Sequence, residues 1–584
     1  MILQALYEYY KRRDDLPKPG FELKEFKYEL ILDPDGTFRE LACVVSENKR
    51  GLSRLVPRSC KRSGVLSEDK PFLLWDTVDF VLGESGKGEA ATEKDKATAL
   101  RKRANFLAKL EALPEAVRKS QGVHAVLEFY HREEYAKVPA HELWADLLKS
   151  NSNLVFRLRG EVAPVTSDPA VVDFVMADAS ADAEADAPQG RCLITGERGE
   201  LIRLMGATPI VGGKSTSSLV SFQKNSGYDS YGKEQCFNAP IGKQAEFACS
   251  TALNALLGKD SRNKFLLGDM TLLFWTQKAE RTLKLADLLF PLLRQEKDDP
   301  DYRVESVRAM LKSAYTGKLP RDEAENRFYF LGLAPNAARI SVAVWKVGTI
   351  GELGRNFEQF LLDFDLEAGE KIRRPTTVYG VLTSLALEYK LENLARNLEG
   401  RFLAAIIDGT PYPVTLLIQA INRIRADRKL LPLRIATVKA CLNRKNRFDG
   451  NQNKELTMSL DPENPNIGYQ CGRLFAVLEK AQAEANPGIN ATICDRFYGA
   501  ASTTPVTVFG RLLALNLHHL EKLTPGRKIG FRNLAGEIID RISDFPAHLS
   551  LEDQGRFAIG YYHQNQELYR SKKTVEPQTE PEQN

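Results

Sequence analysis

The sequence predicts an α+β protein, with mixed N-terminal and central α/β regions followed by a C-terminal all-helical bundle. Three patterns carry that reading. Near the N-terminus, Phe26, Tyr28, Leu30 and Leu32 alternate with Lys27, Glu29 and Ile31. Asp33-Pro34-Asp35-Gly36 then separates them from a second run over 38–45, which is a hairpin signal around a turn. In the middle of the chain, strands over 328–333 and 340–345 flank Ala334-Pro335-Asn336-Ala337-Ala338, with Ile340, Val342 and Val344 expected on one face and a helix over 353–364. From about Thr376 onward apolar residues recur at helical spacing, as in Ile467, Cys471, Leu474, Phe475 and Leu478, and again in Phe509, Leu513, Leu517 and Leu520.

The remaining elements follow in order. Residues Met1 to Glu8 read as the start of an amphipathic helix. After the first hairpin comes a basic loop with Lys49, Arg50, Arg54, Arg58, Lys61 and Arg62, then a core segment at Phe72 to Asp76. Residues 84–99 look like a solvated loop, and helices are expected over 97–150. The acidic, low-complexity stretch 177–188 reads as a surface loop. A Gly/Ser/Asn-rich loop runs over 206–238. Thr504-Pro505 and Ser550-Leu551-Glu552-Asp553 are helix-start signals. A polar linker is expected over 443–453, and the tail beyond Lys573 is polar.

At 584 residues and 43% hydrophobic composition, the chain is long enough for about three or four domains. We expect them at 1–190 (N-terminal, with the basic loop), 191–375 (polar loop and central α+β region), 376–457 (basic helical region) and 458–584 (C-terminal helical bundle). No apolar run is long enough for a membrane helix, and the first residues lack the basic flank and apolar core of a signal peptide, so a cytoplasmic protein with no membrane partner is expected. The eight cysteines are scattered without a C-x-x-C pair, which points to reduced thiols.

Catalytic patterns are missing from the sequence. Gly213-Lys214-Ser215 resembles the end of a phosphate-binding P-loop, but position 208, where the first glycine belongs, is threonine. His518-His519 are adjacent, so their side chains point about 100° apart and do not form a chelating pair. No H-x-x-x-H or G-x-S-x-G occurs, and no metal site or cofactor is expected. The chain therefore reads as a non-enzyme. The alternative is a nucleotide-dependent enzyme built on Gly213-Lys214-Ser215.

Net charge is only +4, but its distribution points to nucleic acid. The loop from Lys49 to Arg62 holds six basic side chains, expected on the DNA backbone. The stretch 423–447 carries Arg423, Arg425, Arg428, Lys429, Arg434, Lys439, Arg444, Lys445 and Arg447 against the single acid Asp427. Such a density is hard to neutralise within one chain, and phosphate backbone is its natural counter-charge. The polar loop combines glycines with Lys214, Lys224, Asn225, Lys233, Gln235 and Asn238, a mix of phosphate-positioning and base-reading groups, and with Phe222, Tyr228 and Tyr231, which can stack or wedge.

Two blocks of sequence carry a resemblance. The first runs from Cys192-Leu193-Ile194-Thr195-Gly196-Glu197 through Ser230-Tyr231-Gly232-Lys233-Glu234-Gln235 and Asn238-Ala239-Pro240 to Thr251-Ala252-Leu253-Asn254. The second is Phe330-Leu331-Gly332-Leu333-Ala334-Pro335-Asn336 with Arg339-Ile340-Ser341-Val342. In order and spacing they resemble the large subunit of the type I-C CRISPR surveillance complex, Cascade. The resemblance implies a crRNA-guided complex containing a multicopy backbone subunit, a repeat-handle-binding subunit and a small subunit. In it, the large subunit recognises the protospacer-adjacent motif (PAM) of double-stranded DNA, aids R-loop formation and recruits a helicase-nuclease. It also raises the expectation that Met458 is an internal start for the small subunit. Lys454-Glu455 permits a purine-rich ribosome-binding sequence just upstream, and the resemblance implies displaced-strand or RNA contacts for Arg423, Arg425, Arg428 and Lys429 and, in that small subunit, for Arg527, Lys528 and Arg532.

Overall fold

The alternation that predicts the first hairpin gives strands in the computed structural model, which describes residues 1–570 apart from 46–50, 60–69, 151, 182–187, 215, 226, 228–229, 260, 294–303, 317, 337–338, 367–375 and 453–454. The fold is α+β, as the patterning predicts. The chain forms two units. The smaller comprises Arg13–Gly206 and Val220–Ala252; the larger comprises Met1–Arg12, Ala207–Leu219 and Leu253–Asn584. The expected boundaries at 190, 375 and 457 fall inside units, not between them.

The smaller unit contains β1 (Phe21–Phe26), β2 (Tyr28–Leu32), β3 (Phe38–Cys43), β4 (Leu52–Pro57), β5 (Trp75–Thr77), β6 (Asn153–Leu158), β7 (Gln189–Arg191) and β8 (Arg198–Glu200). β2 and β3 pair antiparallel across the Asp33–Gly36 turn. Gly36 sits at φ +85, and a Cβ there would lie 2.5 Å from the Cβ of Glu128, so glycine is required. The sheet order is β3-β2-β6-β5, with β2 and β6 parallel. Leu30, Leu32 and Phe156 face the helices Glu93–Glu111 and Gln121–His131, where Phe106, Phe129 and Tyr130 complete the core. The opposite face is covered by the antiparallel β1–β4 pair through Phe26, Val56, Trp75 and Val155, and Trp75 Nε1 donates to the Pro57 carbonyl at 2.9 Å.

Two expectations for this unit need correction. The basic loop is partly a strand: Arg54 lies in β4 opposite Lys24, because Leu52 to Pro57 pairs antiparallel with β1. The stretch 84–99 is not all loop, because the helix Glu93–Glu111 begins inside it, capped reciprocally by Thr92 and Asp95. Lys49, Arg50, Lys61 and Arg62 lie outside the described residues.

In the larger unit, β9 (Lys264–Leu267), β10 (Met270–Thr276), β11 (Arg327–Asn336) and β12 (Arg339–Thr349) form an antiparallel sheet in the order β12-β11-β10-β9. The hairpin β11–β12 is longer than its sequence signal, and its register shifts between Gly332 and Leu333. That bulge corrects the expected face: Val344 is buried whereas Val342 is exposed, because one extra residue inverts the alternation. Helix Ile350–Asp363 follows at once, with Thr349 and Glu352 forming a capping box. The N-terminal helix Ile2–Lys11 buries Ala5, Leu6 and Tyr9, and Tyr9 meets Trp275 of β10 edge-on at 6.4 Å.

The rest of the unit is helical, and one apolar core runs from β9 and β10 to the last helix. Helices Ile467–Ala485 and Leu551–Tyr569 touch backbone to backbone: a Cβ on Gly472 would lie 2.0 Å from the Phe557 carbonyl oxygen, and one on Gly560 would lie 2.2 Å from that of Tyr469. Ser550 caps the last helix, accepting from the Asp553 N–H, as its sequence predicts. The first half of the expected linker 443–453 is helix, because Pro432–Phe448 runs into it with Asn443, Arg444 and Asn446 buried. In Phe509–Leu520 the buried face is Phe509, Leu512, Asn516 and Leu520, whereas Leu517 is exposed. Among the described residues, no helix is long and apolar enough to cross a membrane.

Candidate nucleic-acid interface

The polar loop is divided between the two units. Ala207–Leu219 belongs to the larger, and Val220 onward to the smaller. Lys214 is therefore not part of the same unit as Lys224, Asn225, Lys233, Gln235 and Asn238. Around Lys214 the backbone forms a tight turn: Gly213 N–H donates to the Ile210 carbonyl at 3.1 Å and Ser217 N–H to the Lys214 carbonyl at 3.0 Å. A phosphate-cradling loop needs a strand before it and a helix after it. Neither flanks Gly213-Lys214 among the described residues, and Ser215 lies outside them.

In the smaller unit the remaining five residues lie on one irregular turn with a fixed base. The Cys236 thiol is buried, and its N–H donates to the Arg203 carbonyl at 3.1 Å. The Arg203 guanidinium donates to Gln235 Oε1. The Asn238 amide donates to the carbonyls of Lys233 at 2.9 Å and Gln235 at 3.0 Å. Lys224 pairs with Glu234 at 3.0 Å. The chain returns beside β7, where Leu193 N–H donates to the Pro240 carbonyl at 2.9 Å. Gln235 and Asn238 thus shape the turn, while Asn225 and Lys233 are exposed. Three non-glycine residues here adopt left-handed backbone: Asn225 (φ 58), Tyr231 (φ 67) and Gln235 (φ 46). Such conformations are uncommon and collect at functional sites.

Beside this turn, Cys192 directly follows β7, the first strand of the β7–β8 hairpin. Burial alone would raise its thiol pKa, but the backbone N–H groups of Gly242, Thr195 and Ile194 hold it below the ordinary value.

The basic stretch 423–447 is largely internal. Its premise, that one chain cannot neutralise it, is corrected by acids from distant sequence. Arg444 is buried and reaches Asp363 at 3.0 Å, and its guanidinium lies 4.4 Å from the Tyr412 ring centroid. Arg447 reaches Asp363 at 2.9 Å and Glu455 at 2.6 Å. Arg434, also buried, pairs with Asp427 at 2.7 Å, which Arg423 engages as well. Lys445 pairs with Glu552, and Arg425 donates to Gln554 at 2.6 Å. Burial pushes the Lys439 ammonium below its usual pKa. Only Arg428 and Lys429, at the left-handed end of helix Val414–Asp427, are exposed among the four expected contacts here. Farther on, Arg527 is held by Glu484 at 2.9 Å and covers Phe531, Lys528 pairs with Glu521 at 2.6 Å, and Arg532 is exposed.

Arg54 is likewise engaged. Its Nε donates to Glu29 at 2.7 Å, and Arg157 Nε donates to the other oxygen at 2.7 Å. Glu29 is fully buried. The alternation alone did not show its role, because the β1–β4 pair that covers its face comes partly from farther along the chain. Arg58, just past β4, is exposed. Arg203 and Glu234 were also missed, since their importance lies in what they hold. Among the described residues, no three His, Cys, Asp or Glu side chains gather as a metal site.

The chain thus combines an α+β fold with an exposed polar turn on a fixed base, beside the Cys192-to-Glu197 hairpin. Over residues 6–569 it matches the model of the CRISPR-associated protein family Cas_Csd1, and the chain belongs to that family. No curated protein matches it.

Proposed function

We propose that this chain is the non-catalytic large subunit of a type I-C Cascade complex. In this reading it acts with crRNA, the backbone subunit, the repeat-handle-binding subunit and the small subunit. It recognises the PAM in target double-stranded DNA, aids R-loop formation and recruits the helicase-nuclease in antiviral defence. Guide pairing reads the target, so the protein needs only a short duplex contact. The observation that carries the reading, beside family membership, is the turn of the smaller unit. It presents Asn225, Tyr231 and Lys233 outward while Arg203, Cys236 and Asn238 fix its base. Exposed cations at Lys233 and Arg58 suit phosphate, and Asn225 suits a base edge.

The test is a gel shift of the assembled complex on duplexes that scan the PAM. One preferred motif is expected. Asn225→Gly keeps the left-handed backbone but removes the amide, and should reduce discrimination between motifs by about 1–3 kcal/mol. Equal binding to every duplex by the parent complex defeats the reading. A nucleotide-dependent enzyme at Gly213-Lys214 predicts instead that the purified chain binds ATP.

A further inference from the structure

We propose that Tyr231 is a stacking residue for an unpaired nucleobase. The proposal rests on the nucleic-acid reading above and identifies the contact that the turn makes.

Tyr231 is 97% exposed, more than any other large hydrophobic side chain among the described residues. Its backbone lies at φ 67 and ψ 19. An L side chain with a bulky ring rarely occupies that region, and the ring recovers almost no burial to offset the strain. A tyrosine on an ordinary solvated turn would relax to negative φ or fold over neighbouring apolar surface. Here the chain just after the ring is anchored. Cys236 is buried, Arg203 grips both the Cys236 N–H and the Gln235 side chain, and the Asn238 amide ties down two carbonyls. Gly232, at φ 70, follows it with nothing within 4 Å of where a Cβ would stand.

The surroundings indicate what the ring meets. Lys233 is exposed next to it, and Lys224 sits in a solvent-exposed pair with Glu234 at 3.0 Å that an incoming phosphate can replace. An aromatic face beside lysines is the combination that holds single nucleotides: the ring takes the base's π-face and the cations take its phosphates. Stacking needs a base free of its own neighbours, so the occupant is an unpaired base of the bound nucleic acid, not an intact duplex.

The experiment uses the complex assembled with the full chain, and duplexes carrying 2-aminopurine at successive positions from the PAM into the target. In the parent, fluorescence should mark one position that unpairs and is then quenched by stacking. Tyr231→Phe and Tyr231→Trp should keep that quenching. Tyr231→Gly, which suits the left-handed backbone, should lose it and bind the target about tenfold or more weakly, while the protein becomes no less stable. Identical quenching and affinity in Tyr231→Gly overturns the stacking role while leaving the PAM reading intact. A Tyr231→Gly complex that loses a protein subunit instead of base quenching also overturns it, and assigns the ring to a protein contact. Absence of any PAM preference in the parent defeats both.

Discussion

Glu29 illustrates what one side chain decides. It is fully buried between Arg54 and Arg157, so its carboxylate neutralises two guanidiniums where the β1–β4 pair meets the sheet. Glu29→Gln leaves those cations poorly compensated, and we expect a loss of about 3 kcal/mol in the stability of the smaller unit by denaturant unfolding. His563 makes a second prediction. Burial, reinforced by the Lys439 ammonium, lowers its pKa to about 4, and its Nδ1 lies 3.0 Å from the Tyr469 hydroxyl. Because the folded pKa is depressed below the unfolded value of about 6.5, the unfolded chain binds the extra proton first. Stability is therefore retained above pH ~6.5 and falls as pH drops toward ~4, by about 3 kcal/mol in full. In His563→Gln, unfolding measured across that window should lose this slope. An unchanged slope would assign the acid sensitivity to other groups.

At the scale of elements, close helix packing is the exposed vulnerability. Gly472 and Gly560 let helices Ile467–Ala485 and Leu551–Tyr569 approach until backbone meets backbone. A methyl at Gly472 would overlap the Phe557 carbonyl, so the helices must move apart. Gly472→Ala should cost about 3 kcal/mol or more, against about 1 kcal/mol gained in helix propensity, and the effect should appear as a lowered Tm. The β11–β12 hairpin makes the complementary point. Its alternation was readable, yet the bulge reassigned Val342 to solvent, because one inserted residue inverts every side chain beyond it.

For the molecule as a whole, the C-terminal helices are not walled off from what precedes them. Asn443 exchanges hydrogen bonds with the backbone of Leu456, both at 2.7 Å, and Val438 packs against Gly555. We propose that Met458, half-exposed just beyond this clasp, begins a separately translated small subunit. Mass spectrometry of the expressed operon should find it, and silencing the start codon should remove it while the long chain remains. Residues 458–584 made alone would expose the face that helix Pro432–Phe448 covers in the full chain. We therefore expect self-association or a Tm below that of the full chain, measured by sedimentation and thermal unfolding; a monomer of unchanged stability would argue that this face contributes little.

The sequence by itself determined the fold class, the first hairpin with its Gly36 turn, the helical second half and the Ser550 cap, because these depend on local periodicity and turn chemistry. It also located the polar turn, through a composition no buried element would carry. Only the tertiary structure decided which charges stay available. Arg434, Arg444 and Arg447 looked unpaired because their counter-charges, Asp363 among them, are remote in sequence or sit on another helix. Burial makes each such pair obligatory, since an isolated ion in the core is far costlier than a paired one, and no count of neighbouring residues can reveal a partner that long-range packing supplies.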